Sequence, residues 1–160
     1  MRNILTFDVE DWYQGLDIAP ARWGEFTPRL TVGLEFILNL LAQHGTHATF
    51  FVLGVAAQEN PTLVRQLVSA GHEIATHGWN HTPVYRQTPE QFRTDLCAAL
   101  AALRGATDAS IKGHRAAFFS LTVATPWAPA VLAEEGITYD SSIFPVHNYR
   151  YGVPAAPRFP

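Results

Sequence analysis

The chain has 160 residues, of which 48% are hydrophobic and 16% charged, and its formal net charge is -3 at pH 7. This composition predicts one globular domain over residues 1–160 and excludes a disordered chain. The negative charge and the lack of a Lys/Arg run argue against a nucleic-acid partner.

No apolar run is long enough to cross a bilayer, so no transmembrane segment is expected. No signal-peptide pattern precedes the first strand, and we therefore expect a cytoplasmic protein. The single cysteine, Cys97, permits no internal disulfide and is expected to pack in the core.

Predicted strands and helices alternate along the chain. The strands are short apolar runs at 4–7, 48–53, 73–76, 110–113 and 137–139. The helices start where an N-cap residue precedes proline, at Thr27-Pro28, Asn60-Pro61, Thr88-Pro89 and Thr125-Pro126. Residues 12–26 form a long loop, and such loops are often functional. The alternation predicts an α/β fold with a parallel sheet and right-handed crossovers.

Ionisable and polar residues follow four of the five predicted strands. They are Asp8, Glu10 and Asp11, then His77, then His114 and Arg115, and finally Asp140, Ser141 and Ser142. Because active sites of barrels and other parallel α/β proteins lie at the carboxyl ends of the strands, these residues are expected to converge.

The stretch His77-Gly78-Trp79-Asn80-His81 places two imidazoles four residues apart. If this segment turns helically, both rings can reach one zinc ion at about 2.0–2.1 Å, with a carboxylate from the first cluster as third ligand. Such a metal lowers the pKa of a bound water and polarises a carbonyl. An adjacent free carboxylate, kept ionised by Arg115, would take the proton. The alternative is a pair of loop histidines and a surface arginine.

Four segments together carry a family resemblance: residues 4–13 (ILTFDVEDWY), 76–81 (THGWNH), 113–118 (GHRAAF) and 139–145 (YDSSIFP). In this order they resemble the polysaccharide deacetylases, the NodB-homology or chitin-deacetylase-like carbohydrate esterases. The variants FDVED and YDSSIFP are similar to the branch associated with exosortase-linked exopolysaccharide synthesis.

The resemblance implies a deformed (β/α)7 barrel, a divalent metal that is usually zinc, and hydrolysis of N-acetyl groups on the amino sugars of a polysaccharide or oligosaccharide. It also implies site residues. They are Asp8 as general base, Glu10 or Asp11 with His77 and His81 as metal ligands, Arg115 as the residue that orients the base, and Phe118 as an oxyanion-hole N–H donor.

The match to the family pattern is incomplete in two places. The proline two residues after the arginine is replaced by Ala117, and the family's last histidine, its general acid, would lie beyond Pro160; His147 has no matching context. A closed barrel takes ~200–250 residues, so we expect only its N-terminal five β/α units here. Because general-acid catalysis contributes ~10²–10⁴-fold, we expect the chain as given to be a poor enzyme.

Two alternatives stay open at this stage. The same metal site could act on a small cyclic amide, as in allantoinase-like proteins, or the chain could bind metal or carbohydrate without catalysis. The 12–26 loop favours a sugar substrate. Four further residues are predicted either to contact that substrate or to have structural roles: Trp12, Trp79, Asp140 and Ser142. The remaining histidines, His44, His47 and His72, are expected at helix ends or on the surface.

Overall fold

The computed structural model describes residues 3–158 and contains one sheet of five parallel strands in the order β1-β2-β3-β4-β5. The strands are Thr6–Val9 (β1), Thr49–Val52 (β2), Glu73–Thr76 (β3), Gly113–His114 (β4) and Tyr139–Asp140 (β5). Each strand pairs with the one before it in the sequence. This order is that of a barrel wall and differs from a doubly wound sheet, whose strand order reverses. The predicted parallel α/β fold is confirmed.

Five α-helices accompany the strands: Leu30–Gln43 (α1), Gly54–Glu59 (α2), Pro61–Ser69 (α3), Pro89–Ala106 (α4) and Ala128–Glu134 (α5). Short 3-10 turns lie at Pro20–Glu25, Val84–Arg86 and Ala117–Phe119. No helix within residues 3–158 is long and apolar enough to cross a membrane.

The helix starts agree with the sequence at two of four places. Asn60 Oδ1 accepts the Leu63 N–H at 3.3 Å, and Thr88 and Gln91 form the predicted capping box. The other two predictions are wrong. α1 begins only at Leu30, and the Thr125 hydroxyl closes a turn with the Thr122 N–H at 3.0 Å, so that α5 starts at Ala128.

The core lies between the helices and one face of the sheet. Every second strand residue points to this side and is buried: Val9, Phe50, Val52 and Ile74. The helices α3 and α4 contribute their buried faces: Leu63, Leu67, Leu96 and Leu100. The opposite face of the sheet carries the alternate strand residues, which include Thr6, Asp8, Thr49 and Glu73. The candidate site lies at the carboxyl end of this face.

Two side-chain predictions outside the site are wrong. Cys97 is exposed, because the neighbouring Leu96 and Leu100 define the buried face of α4. His72 follows the end of α3, but its side chain is buried and neither caps the helix nor lies on the surface. Its Nδ1 accepts the Ala48 N–H at 3.4 Å, and its ring packs 5.0 Å from that of Phe50.

Candidate active site

Glu10, His77 and His81 form a three-residue cluster at the carboxyl end of the sheet. Glu10 Oε2 lies 3.0 Å from His81 Nε2 and 3.8 Å from His77 Nε2, and one donor atom from each residue lies within 4.8 Å of the others. Two ligand atoms that bind one zinc ion tetrahedrally at about 2.1 Å are ~3.4 Å apart. The observed spacing therefore fits a single divalent cation.

The hydrogen bonding of this cluster also fits a metal. Glu10 Oε2 and His81 Nδ1 are buried and have no hydrogen-bond partner among residues 3–158. A buried carboxylate oxygen without a partner is costly, and a cation would remove that cost. Burial lowers the pKa of His77, which favours the neutral imidazole that metals bind. Its Nδ1–H donates to the Arg115 carbonyl at 2.7 Å, so Nε2 presents a lone pair to the cluster.

The two histidines meet through an irregular turn, not through the helical turn considered from the sequence. Gly78 and His81 have positive φ angles of 77° and 60°. The first N–H groups of α2, from Gly54 and Val55, donate to the carbonyls of Gly78 and Trp79 at 2.8 and 3.0 Å. A left-handed conformation at a residue other than glycine is strained, and here it turns the His81 ring towards Glu10.

Asp8 lies beside the cluster and is held by Arg115. Its Oδ1 accepts from Arg115 Nη1 at 2.7 Å, and its Oδ2 lies 4.0 Å from His77 Nε2. Arg115 is 9% exposed and therefore forms no surface ion pair. Its Nη2 also donates to Ser141 Oγ at 2.8 Å and to Thr6 Oγ1 at 3.1 Å, and the guanidinium lies 4.1 Å from the Phe51 ring centroid. One oxygen of Asp8 thus faces the cluster while the other is fixed.

Asp11 lies away from the cluster, and its assignment as a metal ligand is wrong. Its Oδ2 accepts the N–H groups of Arg29 and Leu30 at 2.8 and 3.1 Å, and its Oδ1 accepts the Trp12 N–H at 2.9 Å. The carboxylate therefore caps the start of α1 from 18 residues away. Of the two acids left open by the sequence, only Glu10 lies in the cluster with the two histidines.

Asp8, Glu10, His77 and His81 line a cavity of about 300 Å³, together with Phe118 and Phe119. The Phe118 ring centroid lies 4.4 Å from that of His81, and both phenylalanines have positive φ. Two further lining residues were missed from the sequence: Arg150 and Tyr151. They lie in a segment without periodicity, and the Arg150 ion pair with Asp17, at 2.7 Å, joins positions 133 residues apart. His147 is exposed and does not line this cavity.

The four residues predicted to contact substrate lie outside the cavity. Trp12 is 50% exposed, and its Nε1 donates to the Thr27 carbonyl at 3.2 Å beside α1. Trp79 lies against Gly54 and lines grooves on the α4 side of the turn.

Asp140 and Ser142 support the segment after β4, and direct substrate contact by Ser142 is excluded by its complete burial. The Ser142 hydroxyl donates to Asp140 at 2.8 Å and accepts the Ala116 N–H at 2.7 Å. Asp140 also pairs with His114 Nδ1 at 2.7 Å. This network fixes the backbone that carries Arg115, which is a structural role.

Known proteins are similar to this chain in sequence and in fold. A chitooligosaccharide deacetylase of Bradyrhizobium sp. (strain ANU 289) is 33% identical over 97 residues, which are 61% of this chain and 42% of the relative. A Mycobacterium smegmatis protein assigned to the polysaccharide deacetylases superposes with a TM-score of 0.77 and 28% identity over 88% of this chain and 50% of its own.

A third neighbour is a pseudoenzyme of carbohydrate esterase family 4 from Bacillus anthracis, with a TM-score of 0.67 and 19% identity over 86% of this chain and 41% of its own. In all three comparisons the chain spans half or less of the relative's length. The sequence model of the polysaccharide deacetylases matches residues 4–137. The chain therefore belongs to the polysaccharide deacetylase family.

Proposed function

We propose that this protein is a metal-dependent hydrolase that removes N-acetyl groups from the amino sugars of a polysaccharide or oligosaccharide, with zinc as its metal. The observation that carries the proposal is the cluster of Glu10, His77 and His81 next to an arginine-held Asp8. When bound there, a divalent cation would polarise the acetyl carbonyl and lower the pKa of a water ligand.

The chain's own groups are assigned to proton abstraction from the attacking water and to stabilisation of the oxyanion. Asp8 Oδ2 faces the cluster and takes the proton from the attacking water, while Arg115 holds the other oxygen in place. The backbone N–H of Phe118, on the wall of the cavity, is assigned to the oxyanion that develops on the carbonyl oxygen. Burial lowers the pKa of His77 and so favours its neutral ring, and its Nδ1–H donates to the Arg115 carbonyl, which joins it to the segment that holds the base.

A second cavity favours a sugar chain over a small cyclic amide. It measures about 520 Å³, adjoins the metal cavity through the shared lining residues His81 and Phe118, and carries groups suited to carbohydrate: Gln14, Asp17, Trp23, Asn80 and Arg86. Amides and charged groups hydrogen-bond sugar hydroxyls, and an indole ring covers the apolar face of a pyranose. A cyclic amide would need only the smaller cavity.

One observation favours a second candidate, a member that binds metal and glycan without turnover. Among the described residues that line the cavity, His77 and His81 are the only histidines, so no third histidine is placed to protonate the leaving amine. The Bacillus anthracis neighbour, which has the same fold, is described as a pseudoenzyme.

Acetate release from N-acetylglucosamine oligomers by the zinc-loaded protein separates the two candidates. The hydrolase proposal predicts release by the wild type and its loss in Asp8→Asn, with zinc content unchanged because Asp8 is assigned to proton transfer. Zinc binding without acetate release by the wild type would favour the second candidate. Loss of zinc in Asp8→Asn would instead make Asp8 a ligand.

A further inference from the structure

A carboxylate on α4 is hydrogen-bonded to the middle of the turn formed by residues 77–81, which we call the histidine turn. Asp95 lies on the second turn of α4, and its Oδ2 accepts the Trp79 N–H at 2.8 Å across 16 residues of sequence. The same oxygen lies 3.1 Å from the position that a Cβ on Gly78 would occupy. Asp95 thus packs directly on the backbone between the two histidines.

This turn needs support because its backbone is unfavourable in isolation. His81 has a left-handed backbone conformation, which is strained for a residue with a side chain. On one side of the turn, the N–H groups of Gly54 and Val55 at the start of α2 donate to the carbonyls of Gly78 and Trp79. The Trp79 N–H points the other way, to α4, and without Asp95 it would lose its acceptor.

We propose that Asp95 is a positioning residue that fixes the turn, and with it the spacing of His77 and His81, by accepting the Trp79 N–H; this rests on the proposed metal-dependent function. α2 and α4 then clamp the turn from its two sides, one through its carbonyls and the other through its amide. Partners that orient metal ligands in this way are typically worth about 10–100-fold in metal affinity.

Four variants test this role. Asp95→Ala and Asp95→Leu remove the acceptor, the second with little loss of volume, whereas Asp95→Asn keeps one oxygen that can accept. Arg93→Ala is the matched control, since Arg93 lies on the same helix and pairs with Glu134 at the end of α5 and with the next residue, Glu135, away from the turn. Zinc affinity is measured by calorimetry on metal-stripped protein, and exchange of the Trp79 amide hydrogen by NMR without metal.

The expected result is a fall in zinc affinity of about 10–100-fold and faster Trp79 amide exchange in the Ala and Leu variants, with Asn and Arg93→Ala close to wild type. Wild-type exchange and affinity in Asp95→Ala or Asp95→Leu would overturn the proposal. So would an Asp95→Asn protein as impaired as Asp95→Ala, because a hydrogen-bond acceptor would then not be the feature that matters. If the wild type binds no zinc, the proposed function fails, while the Trp79 exchange rates still decide the role of Asp95.

Discussion

Two glutamates at opposite ends of the sheet, Glu10 and Glu73, have contrasting surroundings. Glu73, at the amino end of β3, accepts from the Thr49 hydroxyl at 2.6 Å and from the Tyr139 hydroxyl at 2.8 Å. Glu10, beyond the carboxyl end of β1, has a buried oxygen with no hydrogen-bond partner in the described part of the chain. The first carboxylate is used by the fold, whereas the second is left available for a ligand.

The pKa values of nearby groups reflect the same division. Burial, followed by the hydrogen bond to Glu73, raises the pKa of Tyr139, so its hydroxyl remains a donor. At the other end, burial lowers the pKa of His77, and the ring remains a lone-pair donor to a cation. Hydrogen-bond donors therefore occupy the Glu73 end, while electron-pair donors converge at the Glu10 end.

The largest expected effect on stability and zinc affinity comes from a change in the packing of α2 against Trp79 and α4, beside the proposed metal site. In Gly54→Ala the new Cβ would lie 2.5 Å from Trp79 Cε3 and 2.7 Å from the Ala99 Cα, so both the Trp79 side chain and α4 must shift relative to α2. Overpacking of this kind costs about 1–3 kcal/mol, and zinc affinity should fall with it. Urea unfolding and zinc titration measure both effects. Gly33→Ala is the control, because nothing lies within 4 Å of its added Cβ.

A smaller effect tests the two glutamates directly. In metal-stripped protein, Glu73→Ala should lower the free energy of unfolding by about 0.5–1.5 kcal/mol, because two hydroxyls lose their acceptor. Glu10→Gln should leave the stability unchanged or raise it, since it removes a charge that lacks a hydrogen-bond partner. Equal destabilisation by both changes, measured by urea unfolding, would abolish the contrast.

The pH dependence of stability gives the smallest effect. Because the pKa of His77 is lowered from the ordinary value of 6.5 by burial, the unfolded chain binds more protons than the folded one below that value. The contribution of the neutral His77 ring to the free energy of unfolding is complete above about pH 6.5, and it is lost as the pH falls through the lowered pKa. His72, also lowered by burial, acts in the same direction. Metal-free His77→Gln should therefore lose less stability between pH 7.5 and pH 5.5 than the wild type; equal losses would contradict this account.

Local patterns in the sequence were enough to predict the alternating strands and helices. Buried apolar runs and N-cap–proline pairs are local signals, and Asn60 and Thr88 cap helices as expected. α2 was missed because six residues are too few for helical periodicity to show. The ends of β1 shifted by two residues because register with β2, with Thr6 opposite Thr49 and Val9 opposite Val52, sets them.

Site residues could be predicted where a single strand or turn contains the sequence pattern. They could not be predicted where their positions depend on contacts between distant segments. Strand alternation places Asp8 and Glu10 on one face, but it does not decide whether Glu10 or Asp11 is the third ligand. The decision rests on the capping of α1 by Asp11, a contact between residues 18 positions apart. Arg150 reaches the cavity through similarly remote contacts. No periodic pattern encodes such contacts.

Zinc stoichiometry tests the central claim most directly. Metal analysis after zinc loading and dialysis should find about one zinc per chain in the wild type and in Glu73→Ala, and close to none in His77→Ala, His81→Ala and Glu10→Ala. Equal zinc content in all five proteins would contradict the assignment of Glu10, His77 and His81 as the metal site.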